Sequence, residues 1–390
     1  MRHDLKIAMR RFLLTFLVLF FVVCFRSGSA HAASGAVAKV GSTRYSSFAK
    51  ALKQAPSGAT IKLLKNTTLN SSNPYMTITG KELTIDLNGK KLTNKVQLYF
   101  QKCSVTIKNG TYCASNPKSA SGLILGAIHG EQKTTIRVSG CTLSENKMNY
   151  SLFEIKDSGS KITFQNCSAS LKNCLLLTNG YKSTAVFKSG SYEGESVLIC
   201  NSGTLQFDGG RYNCLADTDT KPSLLIYNQK STAYINGKTK TSYGKVIVNK
   251  GSFYSAFAAI ENTENCTCII NGGTITGRKL RKVNRTDLTK YGDQSLINNY
   301  GRLTVNGGTI QEKTAGSKHR FYGMFAIEAF KGKVSINGGK VTNNRYSAIL
   351  KHSGARVTVS SKATVQSQKD YKNIAVYDFS FDTTLRNSRK

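Results

Sequence analysis

"INGGTI" at 270–275, "VNGGTI" at 305–310 and "INGGKV" at 336–341 are one phrase written three times, at a spacing of about thirty residues. Self-similarity at 20–50 residues marks one supersecondary unit stacked on copies of itself. Working outward, the series extends through "VTIKNGTY" (105–112), "IRVSGCTL" (136–143), "ITFQNCSA" (162–169), "AVFKSGSY" (185–192), "LQFDGGRY" (205–212) and "VIVNKGSF" (246–253). Degenerate copies stand at 83–92 ("LTIDLNGKKL") and 357–365 ("VTVSSKATV"). Apolar-x-apolar alternation predicts a half-buried strand. The N-G, G-G and S-G pairs after it supply the backbone freedom of a sharp corner.

A second phrase lies between the copies, as in "SLFEIKDSG" (151–159), "AAIEN" (258–262), "SLINNYG" (295–301), "FAIEAFKG" (325–332) and "SAILKHSG" (347–354). It also reads as a strand ending at a turn. Each repeat of about 20–35 residues therefore holds at least two strands, and none contains a convincing helix of ten residues. Helix-pair and βαβ repeats are excluded. Four prolines, 34 glycines and no tryptophan suit many short strands and tight turns.

On these phrases the chain resembles the right-handed parallel β-helix of pectate-lyase-like proteins and bacterial surface proteins. The resemblance implies an all-β, single-domain solenoid of about ten or eleven rungs over 80–375. "YSSFAKALKQAPSGATIKLLKNTTL" (45–69) resembles the opening of such proteins. Tyr45, Phe48, Ala49 and Leu52 predict a short helix capping the first rung, because an open end would expose the core and an unpaired edge. Residues 33–79 then hold the lead-in, the capping helix and the first strand, and 376–390 a C-terminal tail. "STAYINGKTKTSYG" (231–244) predicts a hairpin leaving the body, and 277–294 a long basic loop.

Residues 1–32 predict a cleaved export signal. A basic start (Arg2, Lys6, Arg10, Arg11) precedes the fourteen-residue apolar run 12–25, and Ala30-His31-Ala32 gives a small-x-small cleavage site. Fourteen residues fall short of the roughly 20 that span a bilayer, so no membrane span is expected after cleavage. The whole chain carries +34. Removing 1–32 takes five of 55 cations and one of 21 acids, which leaves about +30. Such a field favours polyanions. For an exported protein it points to anionic polysaccharide or wall polymer, without a specific nucleic-acid target. Nine cysteines remain at irregular spacing, with no C-x-x-C and no zinc pattern. Cys141 and Cys167 share a column, which predicts stacked free thiols. No cofactor or metal site is expected, and the chain reads as a monomer.

Pectate-lyase-like enzymes rely on clustered carboxylates, and the related hydrolases on a Gly-His-Gly segment. Neither pattern occurs here. His129-Gly130-Glu131 reads as a solvated loop, and Asp217-Thr218-Asp219 offers too few oxygens for calcium. Glu261, Asn298 and Glu328 share one column on consecutive rungs, beside an inward column of Ile260, Ile297, Ile327 and Ile349. They read either as a ligand-binding ladder or as an exposed polar ladder; catalysis by the glutamates is the third option. "GRKLRKV" (277–283) is the strongest polyanion signal. Its Arg278, Lys279, Arg281 and Lys282, with Arg285 and Lys290, resemble basic clusters that bind heparin-like glycans. The Asn-x-Ser/Thr triplets, among them Asn66, Asn109, Asn166 and Asn265, fall in strand or turn phrases that suit a glycan poorly. The reading is a secreted or cell-surface β-helix protein that binds anionic polysaccharide without catalysis. Its alternative is a polysaccharide lyase or glycoside hydrolase.

Overall fold

Each rung contains three strands, one more than the phrases require. The computed structural model describes residues 35–115, 126–148, 150–195, 197–214, 224–235, 237–255, 257–277, 295–313, 325–344, 347–367 and 376–378. Residues Val37–Lys390 form one compact unit, and of the preceding unit only 35 and 36 are described. The proposed export signal and the basic loop residues Arg278–Lys290 lie outside the described residues, as do Asp217 and Asp219.

One full turn shows the plan. Ala258–Asn262 runs in the first sheet, Thr267–Ile270 in the second and Thr274–Gly277 in the third. Each strand pairs in parallel with its counterpart one rung away: Ile260 faces Ile297, Ile269 faces Thr304, and Ile275 faces Ile310. In the second sheet eleven such pairings join twelve strands, from Ala59–Leu63 to the second half of Ile349–Val359. The last described strand, Val376–Asp378, still pairs in parallel with Ile349–Lys351. Parallel β-helix is therefore the architecture, and the NGG phrase is the corner between its second and third sheets.

The corner changes type along the rod. In early rungs the residue with positive φ is Asn109, Gly140 or Asn166; from Gly190 onward it comes one position later, as in Gly273, Gly308 and Gly339. That shift explains why Cys141 and Cys167 can stand in the glycine column. Their own backbone is ordinary, so their side chains turn into the core, where both are 2% exposed. All nine cysteines among the described residues are free, including Cys141 and Cys167, for which the register argument expected it. Burial pushes the Cys141, Cys268 and Cys200 thiols up, to about 12, 12 and 11 respectively. The native protein should therefore react very slowly with a thiol reagent at pH 8, and all nine thiols should react once it is unfolded. Rapid labelling of Cys141 in the native state would contradict this burial.

The core is a column of side chains from every rung. Ile260, Ile297, Ile327 and Ile349 are each fully buried. Mid-rod the filling is aromatic: Phe164, Phe187 and Phe207 stack at 4.7 and 5.3 Å, while Tyr192 and Tyr212 stack at 5.3 Å. The tyrosine hydroxyls donate back to the corner carbonyls of Ser189 and Gly209, at 2.9 and 2.8 Å. A buried Tyr needs such a partner. Two amide ladders run along the rod. The buried one joins Asn179, Asn201, Asn228, Asn262 and Asn299 at 2.6–2.7 Å. The outer one joins Asn249, Asn271, Asn306 and Asn337 at 2.9 Å and terminates on Asp208.

The N-terminal cap is mixed. The expected helix is present as α1 (Phe48–Gln54), with the Ser47 hydroxyl accepting from the Lys50 amide and Phe48, Ala51 and Leu52 buried. Tyr45 is not on it: it closes the strand Thr43–Tyr45, antiparallel to Ala38–Val40. The strand Ala38–Val40 also pairs antiparallel with Ala59–Leu63. The first rung's edge is thereby covered by a short antiparallel strand as well as a helix. Lys230–Ile235 and Lys238–Tyr243 form the expected hairpin, a separate two-stranded sheet pinned by the Ser242 hydroxyl on the Ser202 carbonyl at 2.9 Å.

Candidate functional site

Outward positions of the first sheet form one column, a residue before the buried asparagines. Register carries it through Tyr99, His129, Glu154, Thr178, Cys200, Tyr227, Glu261, Asn298 and Glu328. Steps of about 4.8 Å separate neighbours. Alternation along each strand puts this column outside and its flanking isoleucines and asparagines inside.

Burial divides the column. Glu261 is half-buried, whereas Asn298 is 7% exposed and Glu328 fully buried. An exposed polar ladder is therefore the wrong description. Glu328 is held on both oxygens, by the Ser295 hydroxyl at 3.0 Å and His352 Nε2 at 2.8 Å. Asn298 is different. Its side-chain oxygen is buried and makes no hydrogen bond among the described residues. Unsatisfied buried acceptors are uncommon and call for a partner.

Two positions further along each strand stands a second column, Tyr300, Phe330 and His352. Their rings stack at 4.6 Å in both steps, with interplanar angles of 3° and 12°. Phe330 is thus covered on both faces within the stack. The signal for it was visible in "NNYG", "EAFKG" and "LKHSG", where an aromatic ring recurs at one alignment column. Ser295 carries no such signal. Burial raises the Glu261 carboxyl above its ordinary value. The Tyr227 and Tyr300 hydroxyls are raised by burial and next by the Glu261 charge, so these groups share one field.

The raised Glu261 value has a stability consequence. The folded state holds the proton more tightly than the unfolded chain, so ionisation of Glu261 costs stability above its folded pKa. That cost disappears as pH falls through the folded value to the ordinary one of 4.5. Glu261→Gln should raise the thermal midpoint at pH 7 and remove this component of its pH dependence. An identical pH profile in both proteins would show that Glu261 titrates normally.

His129 corrects the solvated-loop reading. It lies in the strand Gly126–Glu131, 2% exposed, stacked on Tyr99 at 4.3 Å with Nδ1 3.1 Å from Glu154 Oε2. Pairing to rungs on both sides made a strand of a segment whose Gly-rich sequence suggested a turn. Of the basic loop only the flanks are described: Gly277 ends a strand of the third sheet and Ser295 precedes one of the first. Among the described residues no group of three or more His, Cys, Asp or Glu is placed to hold a metal.

These features define a class, a parallel β-solenoid with a polar column and an aromatic stack on one sheet. No family model, curated protein or solved structure matches the chain.

Proposed function

We propose that this is an exported, cell-surface β-helix protein of pectate-lyase-like type that binds anionic polysaccharide or wall polymer without cleaving it. The observation that carries the reading is the unpartnered, buried Asn298 oxygen between Glu261 and Glu328. The half-buried Glu261 and Tyr227, adjacent in register, offer a sugar ring its accessible partners, and a hydroxyl is the donor that the buried Asn298 oxygen beside them lacks once its cover is displaced. Binding is favoured over hydrolysis because Glu328 is sealed and engaged by Ser295 and His352. An inverting pair would need both carboxylates to face one water-filled gap. The basic residues Arg278–Lys290 remain part of the proposal, as added charge a few residues before the strand of Asn298 in the chain.

A glycan and wall-polymer array is the direct test. The wild type should bind at least one polysaccharide, and Glu261→Gln combined with Tyr227→Phe should weaken it at least tenfold while the thermal midpoint does not fall. Binding unaltered by both changes would remove the Tyr227–Glu261–Asn298 column from the function. Release of reducing ends or unsaturated products by the wild type would replace binding with catalysis.

A further inference from the structure

The second sheet carries a different chemistry on its outer face. Over three consecutive rungs its first outward position is Arg302, Lys333 and Arg356, in register. The next outward position is Thr304, Ser335 and Thr358, with the Thr358 hydroxyl 3.3 Å from Ser335 Oγ. No carboxylate stands in these three strand segments. All three cations are exposed, and among the described residues none of their side chains has an ion pair or a hydrogen bond.

Like charges directly opposed on neighbouring strands weaken a sheet. Here they recur one rung apart, about 4.8 Å, twice in succession. The fold does not demand them. The same column holds Thr184 and Thr204 side by side, and Thr267 separates Lys245 from Arg302. Three unbalanced cations in line, beside a row of hydroxyls, leave a charge that only something outside the described chain can neutralise.

We propose that this face binds a linear polyanionic glycan lying parallel to the rod axis. Its sulfate, phosphate or carboxylate groups would sit on Arg302, Lys333 and Arg356, and its hydroxyls on the Thr304, Ser335 and Thr358 row. Guanidinium forks suit such groups well. The inference rests on the polysaccharide reading above and adds a surface and a charge class to it. Tyr300, Phe330 and His352 precede the three cations by two to four residues in the chain, so one glycan can touch the aromatic stack and the ladder together.

Heparin, with fully desulfated heparin as the same sugar lacking the sulfates, is the probe. Arg302→Thr, Lys333→Thr and Arg356→Thr combined should lower heparin affinity at least tenfold at low salt. The slope of log affinity against log salt should flatten by about 2–3. Desulfated heparin, which keeps only its uronate carboxylates, should bind more weakly and show a smaller difference between the two proteins. A matched triple elsewhere, Lys50→Ser, Lys65→Ser and Lys172→Ser, removes the same charge and should change affinity little. Lys333→Glu alone gives an alternating ladder: its thermal midpoint should rise while heparin binding falls, which separates lost binding from lost folding. The proposal is overturned if the wild type ignores heparin, if both triples weaken it equally, or if duplex DNA binds more tightly than heparin. Binding lost in the threonine triple but kept in Glu261→Gln with Tyr227→Phe would retain the ladder and discard the Tyr227–Glu261–Asn298 column; the opposite pattern discards the ladder.

Discussion

Replacing Asn228 with Ala should destabilise the rod by about 3–5 kcal/mol, and Asn271→Ala by less than about 1 kcal/mol. Both residues sit mid-ladder, each donating to one amide and accepting from another. Asn228 is fully buried; its amide donates to Asn262 Oδ1 at 2.7 Å and to the Gly244 and Thr267 carbonyls at 3.1 Å. It accepts from Asn201 at 2.7 Å. Truncation leaves the Asn262 oxygen without its donor in a place water does not reach, and opens a void beside it. Asn271 is exposed, with partners at 2.9 Å on both sides, and water can replace either bond. Because each rung of a solenoid touches only its neighbours, the loss should show as faster amide exchange in 224–228 and 258–262. Equal effects of the two changes would mean that burial does not set the ladder's strength.

Gly308→Ala should cost a similar amount, about 3–4 kcal/mol. Its φ is +82°, and an added Cβ would lie 2.6 Å from the Gly273 carbonyl oxygen of the neighbouring rung. That oxygen is backbone, fixed by its own pairing, so the two rungs must separate. Gly58 supplies the comparison: φ is +83°, but no atom lies within 4 Å of the added Cβ. Gly58→Ala should cost only the backbone strain, about 1 kcal/mol. Thermal midpoints of the two variants measure the difference, and similar midpoints would show that the NGG corner needs glycine for its dihedral angle alone.

The repeated phrase determined the architecture because parallel stacking is a local rule applied many times. Apolar alternation selects the inward positions, and at the corner between the second and third sheets the residue with positive φ is Gly or Asn, so both signals appear in one line of sequence, copy after copy. The inward isoleucines, the stacked thiols of Cys141 and Cys167 and the column Glu261–Asn298–Glu328 followed from alignment. Tertiary structure alone decided which outward residues are covered. Alternation assigns a face but says nothing of what closes over it, so Glu328 and His129 read as exposed and are buried. Register between rungs also turned separate basic residues, Arg302, Lys333 and Arg356, into a line of charge. Each is ordinary in its own strand; only stacking at one rung's spacing makes them repel, and makes them a site.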